Sequence, residues 1–154
     1  GDCNGRGAFT HTAYNDFEIV ASNLLDGQSR RLSDRKTAYA LYIDPPLGRA
    51  GMTEAQAKAE GRKALVGSRL MTRVGRAAEK GETEGFMKII VDGESREILG
   101  AAILGVTGDE VVHTLLDVMY AKAPYTTISR AMHIHPTVSD LLPTVLLELK
   151  PLEA

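Results

Sequence analysis

From Thr10 onward, apolar residues recur at helical spacing. Ala13, Phe17, Ile19, Val20, Leu24 and Leu25 follow one another about a turn apart, and Asp26-Gly27 supplies a stop. The spacing predicts one amphipathic helix after a glycine-rich turn, GDCNGRGAFT. Past a polar stretch, AYALYID (38–44) reads as a strand. PPLGRAGMTEAQAKAEG reads as a turn, a short strand and a helix capped by Thr53 and closed by Gly61. KALVGSRLM is a further strand. GFMKIIVDGESREILGAAILGV carries the strongest local signal, two Ile- and Val-rich runs around the turn-like DGES, and predicts an antiparallel hairpin. DEVVHTLLDVMYAKA returns to helical spacing, with Val111, Leu115, Val118 and Met119 on one face, and VSDLLPTVLLEL predicts a helical segment around Pro143. Strands joined mostly by hairpins, with helices grouped after them, predict an α+β fold with an antiparallel sheet flanked by helices.

Composition narrows the function classes. The 154 residues suffice for one compact domain with a real core. With 44% hydrophobic and 25% charged residues and a net charge of -2, the chain matches a cytosolic globular protein and offers no positive field to attract a polyanion. Its one basic cluster, RRLSDRK (30–36), is interrupted by Asp34 and reads as a solvated loop. The single cysteine, Cys3, excludes an internal disulfide framework and a Cys-rich zinc site and suits a reducing compartment. No apolar run approaches the ~20 residues that span a bilayer, and no signal-peptide pattern opens the chain. A cytoplasmic protein without nucleic-acid or membrane partners is expected.

The densest chemistry lies in HIHPTVSD (133–140). Pro136 biases His135 toward an extended backbone and makes a cis peptide accessible. His133 and His135 then point to the same side of an extended segment. Thr137 and Asp140 have the spacing of a helix-capping pair, so one reading of the stretch is a helix entrance and nothing more. Another is a metal site on the two histidines with Asp140 or His113, although catalytic zinc needs three converging ligands and the third is not fixed here.

HIHPT followed by an acid resembles the His-x-His-Pro-Thr-x-x-Glu signature of the flavin-dependent pyridine nucleotide-disulfide oxidoreductases, the family of dihydrolipoamide dehydrogenase, glutathione reductase and mercuric reductase. Three further stretches resemble that family in the right order. GDCNGRGAFT is similar to its second flavin motif, PPLGRAGMTEAQA to its Pro-x-x-x-x-x-Gly-x-Thr-Glu segment, and ETEGFMKIIVD with ILGAAILG to the hairpin of its interface domain. The resemblance implies that residues 1–35 are the end of an FAD-binding domain and 36–154 a dimerisation domain. Family members carry an FAD fold, a Cys-x-x-x-x-Cys pair and an NAD(P)H fold ahead of this region. The chain is therefore expected to be a C-terminal piece of a longer protein, inactive alone and binding neither FAD nor NAD(P)H.

Residue by residue, the resemblance makes Asp2 the carboxylate that accepts a hydrogen bond from the ribityl chain of FAD. Thr10 becomes the start of the helix whose amides face the flavin. Without it, Asp2 is a turn residue and Thr10 a cap, and His11 follows the helix start without a role. The resemblance makes His135 the acid/base that reaches the partner subunit's disulfide in a homodimer, and Asp140 the acid that orients its ring. Asp140 is one methylene shorter than the family's glutamate, which leaves three cases open: a closer loop, a bridging water, or a cap only. The implied substrate is a small disulfide or a metal ion. A true mercuric reductase is disfavoured, since the tail LELKPLEA has no cysteine and His135 stands where those enzymes carry tyrosine. The alternative functions are a self-association module without catalysis and a mercuric-reductase-like oxidoreductase with a non-disulfide substrate.

Overall fold

The computed structural model describes residues 1–153. The chain divides into two compact units, Gly1–Arg35 and Lys36–Ala154.

In the first unit a single 3-10 turn, Asp2–Asn4, precedes helix α1, Thr10–Leu25. The helix lies where its spacing predicts and stops at Asp26, with Gly27 at a φ of 64°. Its entry differs from expectation. Phe9, not Thr10, is the extended cap residue, and Thr12 closes the first turn: its hydroxyl accepts the Phe9 N–H at 3.2 Å and donates to the Phe9 carbonyl at 2.7 Å. The buried positions are Asp16, Ile19 and Ser22, while Tyr14, Phe17, Val20, Leu24 and Leu25 are exposed. Asp16 takes the inner place because donors converge on it: Arg35 at 2.6 Å and Asn4 at 2.8 Å. Arg35 also donates to the Thr12 and Arg6 carbonyls and ties the unit together, while Arg30, Arg31, Ser33 and Asp34 of the basic cluster are exposed as a solvated loop would be.

The second unit is built on a six-stranded, wholly antiparallel sheet in the order β1-β2-β5-β4-β3-β6. Its strands are β1 (Ala38–Leu41), β2 (Leu47–Gly51), β3 (Ala64–Leu70), β4 (Phe86–Asp92), β5 (Ile98–Leu104) and the two-residue β6 (Lys150–Pro151). The helices are α2 (Glu54–Ala59), α3 (Gly75–Lys80), α4 (Gly108–Tyr120), α5 (Thr126–Ser129) and α6 (Leu142–Leu147). This is the predicted α+β architecture. The hairpin of β4 and β5 forms its centre, and α2 starts at Thr53, whose hydroxyl accepts the Gln56 N–H at 3.2 Å. The Asp92 carboxylate closes the hairpin turn by accepting the Glu94 and Ser95 amides at 2.8 and 3.0 Å. Those two amides, with Arg62 beyond them, hold it below the usual carboxylate range. The short elements α3, α5 and β6 were not predicted, being too brief to show a period.

One sheet face carries the core. Met87, Ile89, Ala101 and Ile103 pack with Val111, Val112, Leu115 and Met119 of α4 and with Leu142, Val145 and Leu146 of α6. Val112 occupies the inner stripe, and Val118 packs only at its margin. Two glycines permit this approach. A Cβ on Gly48 would run into the Gly108 carbonyl of α4, and one on Gly67 into the Val145 carbonyl of α6. On the other face α2 covers a small cluster around Ala57, Ala64 and Ile90. There the register aligns Leu41, Leu47, Leu104, Phe86 and Leu70 in one apolar row across five strands, exposed at both ends.

Candidate functional site

The segment between α5 and α6 holds the two histidines. Its downstream end is firmly seated: Val138, Leu142, Val145 and Leu146 are buried, and α6 lies against β3 at Gly67. Pro143 falls in the first turn of α6, where its missing N–H leaves no helical hydrogen bond unmade. Upstream the chain is open to solvent, with Met132 and Ile134 100% and 80% exposed. His135 stands at the junction, and its peptide bond to Pro136 is cis.

His135 Nδ1 lies 2.7 Å from Asp140 Oδ2. The imidazole is 78% exposed and the carboxylate only 7%. A carboxylate oxygen accepts, so the contact is made by the tautomer with its proton on Nδ1, and Nε2 is then the acceptor of the neutral ring. The buried carboxylate fixes one end of the ring and leaves the other accessible.

The same acid also performs the capping. The Asp140 N–H donates to Thr137 Oγ1 at 3.1 Å, and the Thr137 N–H points back to Asp140 Oδ2 at 3.4 Å. A 3-10 turn, Ser139–Leu141, then leads into α6. The helix entrance and the carboxylate–imidazole pair are thus two uses of one side chain. The shorter acid makes direct contact because this tight turn carries it close to the ring. Asp140 Oδ1 is buried, with no hydrogen-bond partner among the described residues.

His133 is not drawn into this pair; its Nδ1 lies 3.1 Å from the Ala131 carbonyl. His113 is on the exposed side of α4. Among the described residues, no three His, Cys, Asp or Glu side chains gather closely enough to hold a metal ion. In the first unit Asp2 and Thr10 are both exposed, Thr10 as the first residue of α1, and the His11 ring stacks on Phe9 with centroids 5.2 Å apart. Sequence reasoning missed the Asp16–Arg35 lock. Its only signal was an acid one turn before Ile19 on the same helical face.

The profile of the pyridine nucleotide-disulphide oxidoreductase dimerisation domain matches residues 37–146. The chain belongs to this family. Among curated relatives of the oxidoreductase family, it is 35% identical over 143 residues to the probable pyridine nucleotide-disulfide oxidoreductase RclA of Escherichia coli, covering 92% of this chain and 32% of that protein. It is 32% identical to the dihydrolipoyl dehydrogenase of Halobacterium salinarum, covering 79% of this chain and 26% of the relative. The solved structure of the HOCl-induced flavoprotein disulfide reductase RclA from Escherichia coli superposes with a TM-score of 0.87 at 34% identity, over 94% of this chain and 33% of that one. The chain therefore spans about a third of the length of the relatives it matches. A dimerisation domain of this family self-associates, and the sheet and helices described above are that domain's α+β fold. Among the described residues, no helix is long and apolar enough to cross a membrane.

Proposed function

We propose that this chain is the C-terminal part of a cytoplasmic, FAD- and NAD(P)H-dependent disulfide oxidoreductase, in which it pairs with a second copy and lends His135 to the partner's active site as acid/base. The observation that carries this reading is the 2.7 Å contact of His135 Nδ1 with a buried carboxylate, on a ring that is otherwise exposed. Thiol–disulfide exchange proceeds through thiolates: the attacking thiol gives up a proton and the leaving sulfur takes one. Imidazole gains and loses a proton near neutral pH and suits both steps. Asp140 keeps the Nδ1 proton in place, so Nε2 accepts the thiol proton, and its charge stabilises the imidazolium until that proton is returned.

Residues 1–35 are read as the end of the FAD-binding domain and 36–154 as the dimerisation domain. Asp2 and Thr10 fit the flavin edge, because both are exposed at the entry to a 16-residue helix. There Asp2 accepts a sugar hydroxyl, and the amides at the helix start stabilise negative charge. Bound there, FAD would supply electron transfer between NAD(P)H and the disulfide of a small substrate. The test is a stopped-flow comparison of the two half-reactions in the whole protein carrying His135→Ala. Flavin reduction by NAD(P)H should be unchanged and the disulfide half-reaction should fall about 100-fold, the lower range for losing a positioned proton-transfer group. Equal slowing of both half-reactions, or no slowing of either, would overturn the assignment.

A further inference from the structure

We infer that Thr137 is a positioning residue for His135, setting the distance between imidazole and carboxylate through a hydroxyl that bonds on both sides of the histidine. The inference rests on the acid/base reading of His135. Thr137 Oγ1 donates to the Ile134 carbonyl, immediately before the histidine, at 2.8 Å, and accepts the Asp140 N–H at 3.1 Å. A residue that only capped a helix would need the second bond alone. The first ties the chain entering His135 to the turn that carries Asp140. This matters because the ring itself is barely packed: it is 78% exposed, and the bond to Asp140 is the one hydrogen bond it makes among the described residues. Met132 and Ile134 upstream are exposed as well, so burial does not hold that side of the loop. Asp140 is fixed by burial and His135 is not; the Thr137 hydroxyl joins the free side to the fixed one. Its β-branched side chain, stiff about χ1, holds the hydroxyl between the two groups with little freedom to turn away.

The experiment uses the whole flavoprotein with Thr137→Val, which keeps shape and loses the hydroxyl, Thr137→Ala, Thr137→Ser, which keeps the hydroxyl, and His135→Ala as reference. Flavin reduction by NAD(P)H serves as the internal control. Both hydroxyl-free variants should slow the disulfide half-reaction about tenfold and alter its pH profile, given that a misplacement of ~1 Å costs up to ~100-fold. Thr137→Ser should restore the rate to within about twofold by the same argument. Should Thr137→Val fail to fold, Thr137→Ala carries the comparison. If His135→Ala slows the disulfide half-reaction while Thr137→Val or Thr137→Ala matches wild type, the positioning role is overturned. The same holds if Thr137→Ser is as slow as the hydroxyl-free variants. If His135→Ala itself has no effect, the acid/base reading fails first, and the positioning role with it.

Discussion

Asp140 holds His135 through a single oxygen, with Oδ2 at 2.7 Å from Nδ1 and Oδ1 buried without a partner among the described residues. The carboxylate reaches the ring directly although it is one methylene shorter than the glutamate of the motif it resembles. The Asp140 side chain is only 7% exposed, so a longer one would have to displace the groups that cover it. Asp140→Glu should therefore fail to act as a conservative change, despite restoring the motif, because inserting a methylene into a packed site costs about 1–3 kcal/mol and moves the charged group. Asp140→Asn keeps the shape and an acceptor oxygen but loses the charge that stabilises the imidazolium. Each variant should slow the disulfide half-reaction of the whole protein about tenfold, less than loss of the histidine itself. Stopped-flow rates beside a melting curve would check this; Asp140→Glu at the wild-type rate would show that the turn adapts.

Association should involve the exposed apolar residues beside the histidine, because a group that serves the partner's site must lie close to the partner. Met132 and Ile134 are 100% and 80% exposed, unusual for such side chains unless another surface covers them. The chain should sediment as a dimer at tens of micromolar. Replacing both residues with glutamate should raise the dissociation constant at least about tenfold, since buried apolar anchors dominate such interfaces. An unchanged sedimentation profile would point instead to the apolar row from Leu41 to Leu70 on the open sheet face.

Periodicity located α1, the β4–β5 hairpin, α4 and the Thr53-capped helix because each is long enough, or capped distinctly enough, for local pattern to dominate. It did not reveal the six-residue α3, and β6 exists only through pairing of Lys150 and Pro151 with β3, a contact far along the chain. The outward-facing Phe17 and Val20 show a second limit. Spacing identifies an apolar stripe, but the ion pair of Asp16 with Arg35 on the other side of the helix joins residues 19 apart in the chain, which no local pattern shows. At the candidate site, the Thr137–Asp140 spacing was legible as a cap. That the same carboxylate also meets His135 depends on the tightness of the turn, which residue spacing does not specify.

The Asp92 carboxylate gives a stability change with a defined sign. Its folded pKa is depressed below the ordinary value by the Ser95 and Glu94 amides and by Arg62. A depressed carboxylate contributes stability that is fully present above the unfolded pKa, near 3.8, and is lost as pH falls through the lower folded value. Asp92→Asn should lower stability at pH 7 by about 1 kcal/mol, or roughly 2–4 °C in Tm for a chain of this size. The gap between variant and wild type should narrow once the pH drops below the ordinary carboxylate range. Thermal melts across that range test the sign; a gap that widens toward acid would contradict it.

Flavin retention tests the role of Asp2 and Thr10. They offer one edge of a binding site, a carboxylate and a helix start, whereas most of the affinity of nucleotide-binding folds comes from a glycine-rich turn against the pyrophosphate. No Gly-x-Gly-x-x-Gly occurs in this sequence. The 154-residue chain should therefore purify without the visible absorbance of flavin. In the whole protein, Asp2→Asn should weaken FAD binding about tenfold or more, because a hydrogen bond to a charged acceptor is worth about 1.5–3 kcal/mol. Thr10→Ala should matter far less, since Thr10 contributes through its place at the start of α1 and the first turn is closed by Thr12. Fluorimetric titration of the deflavinated protein with FAD separates the two. Equal losses for both variants would indicate that the helix entry is held by the Thr10 side chain after all, and no loss for Asp2→Asn would remove it from the flavin site.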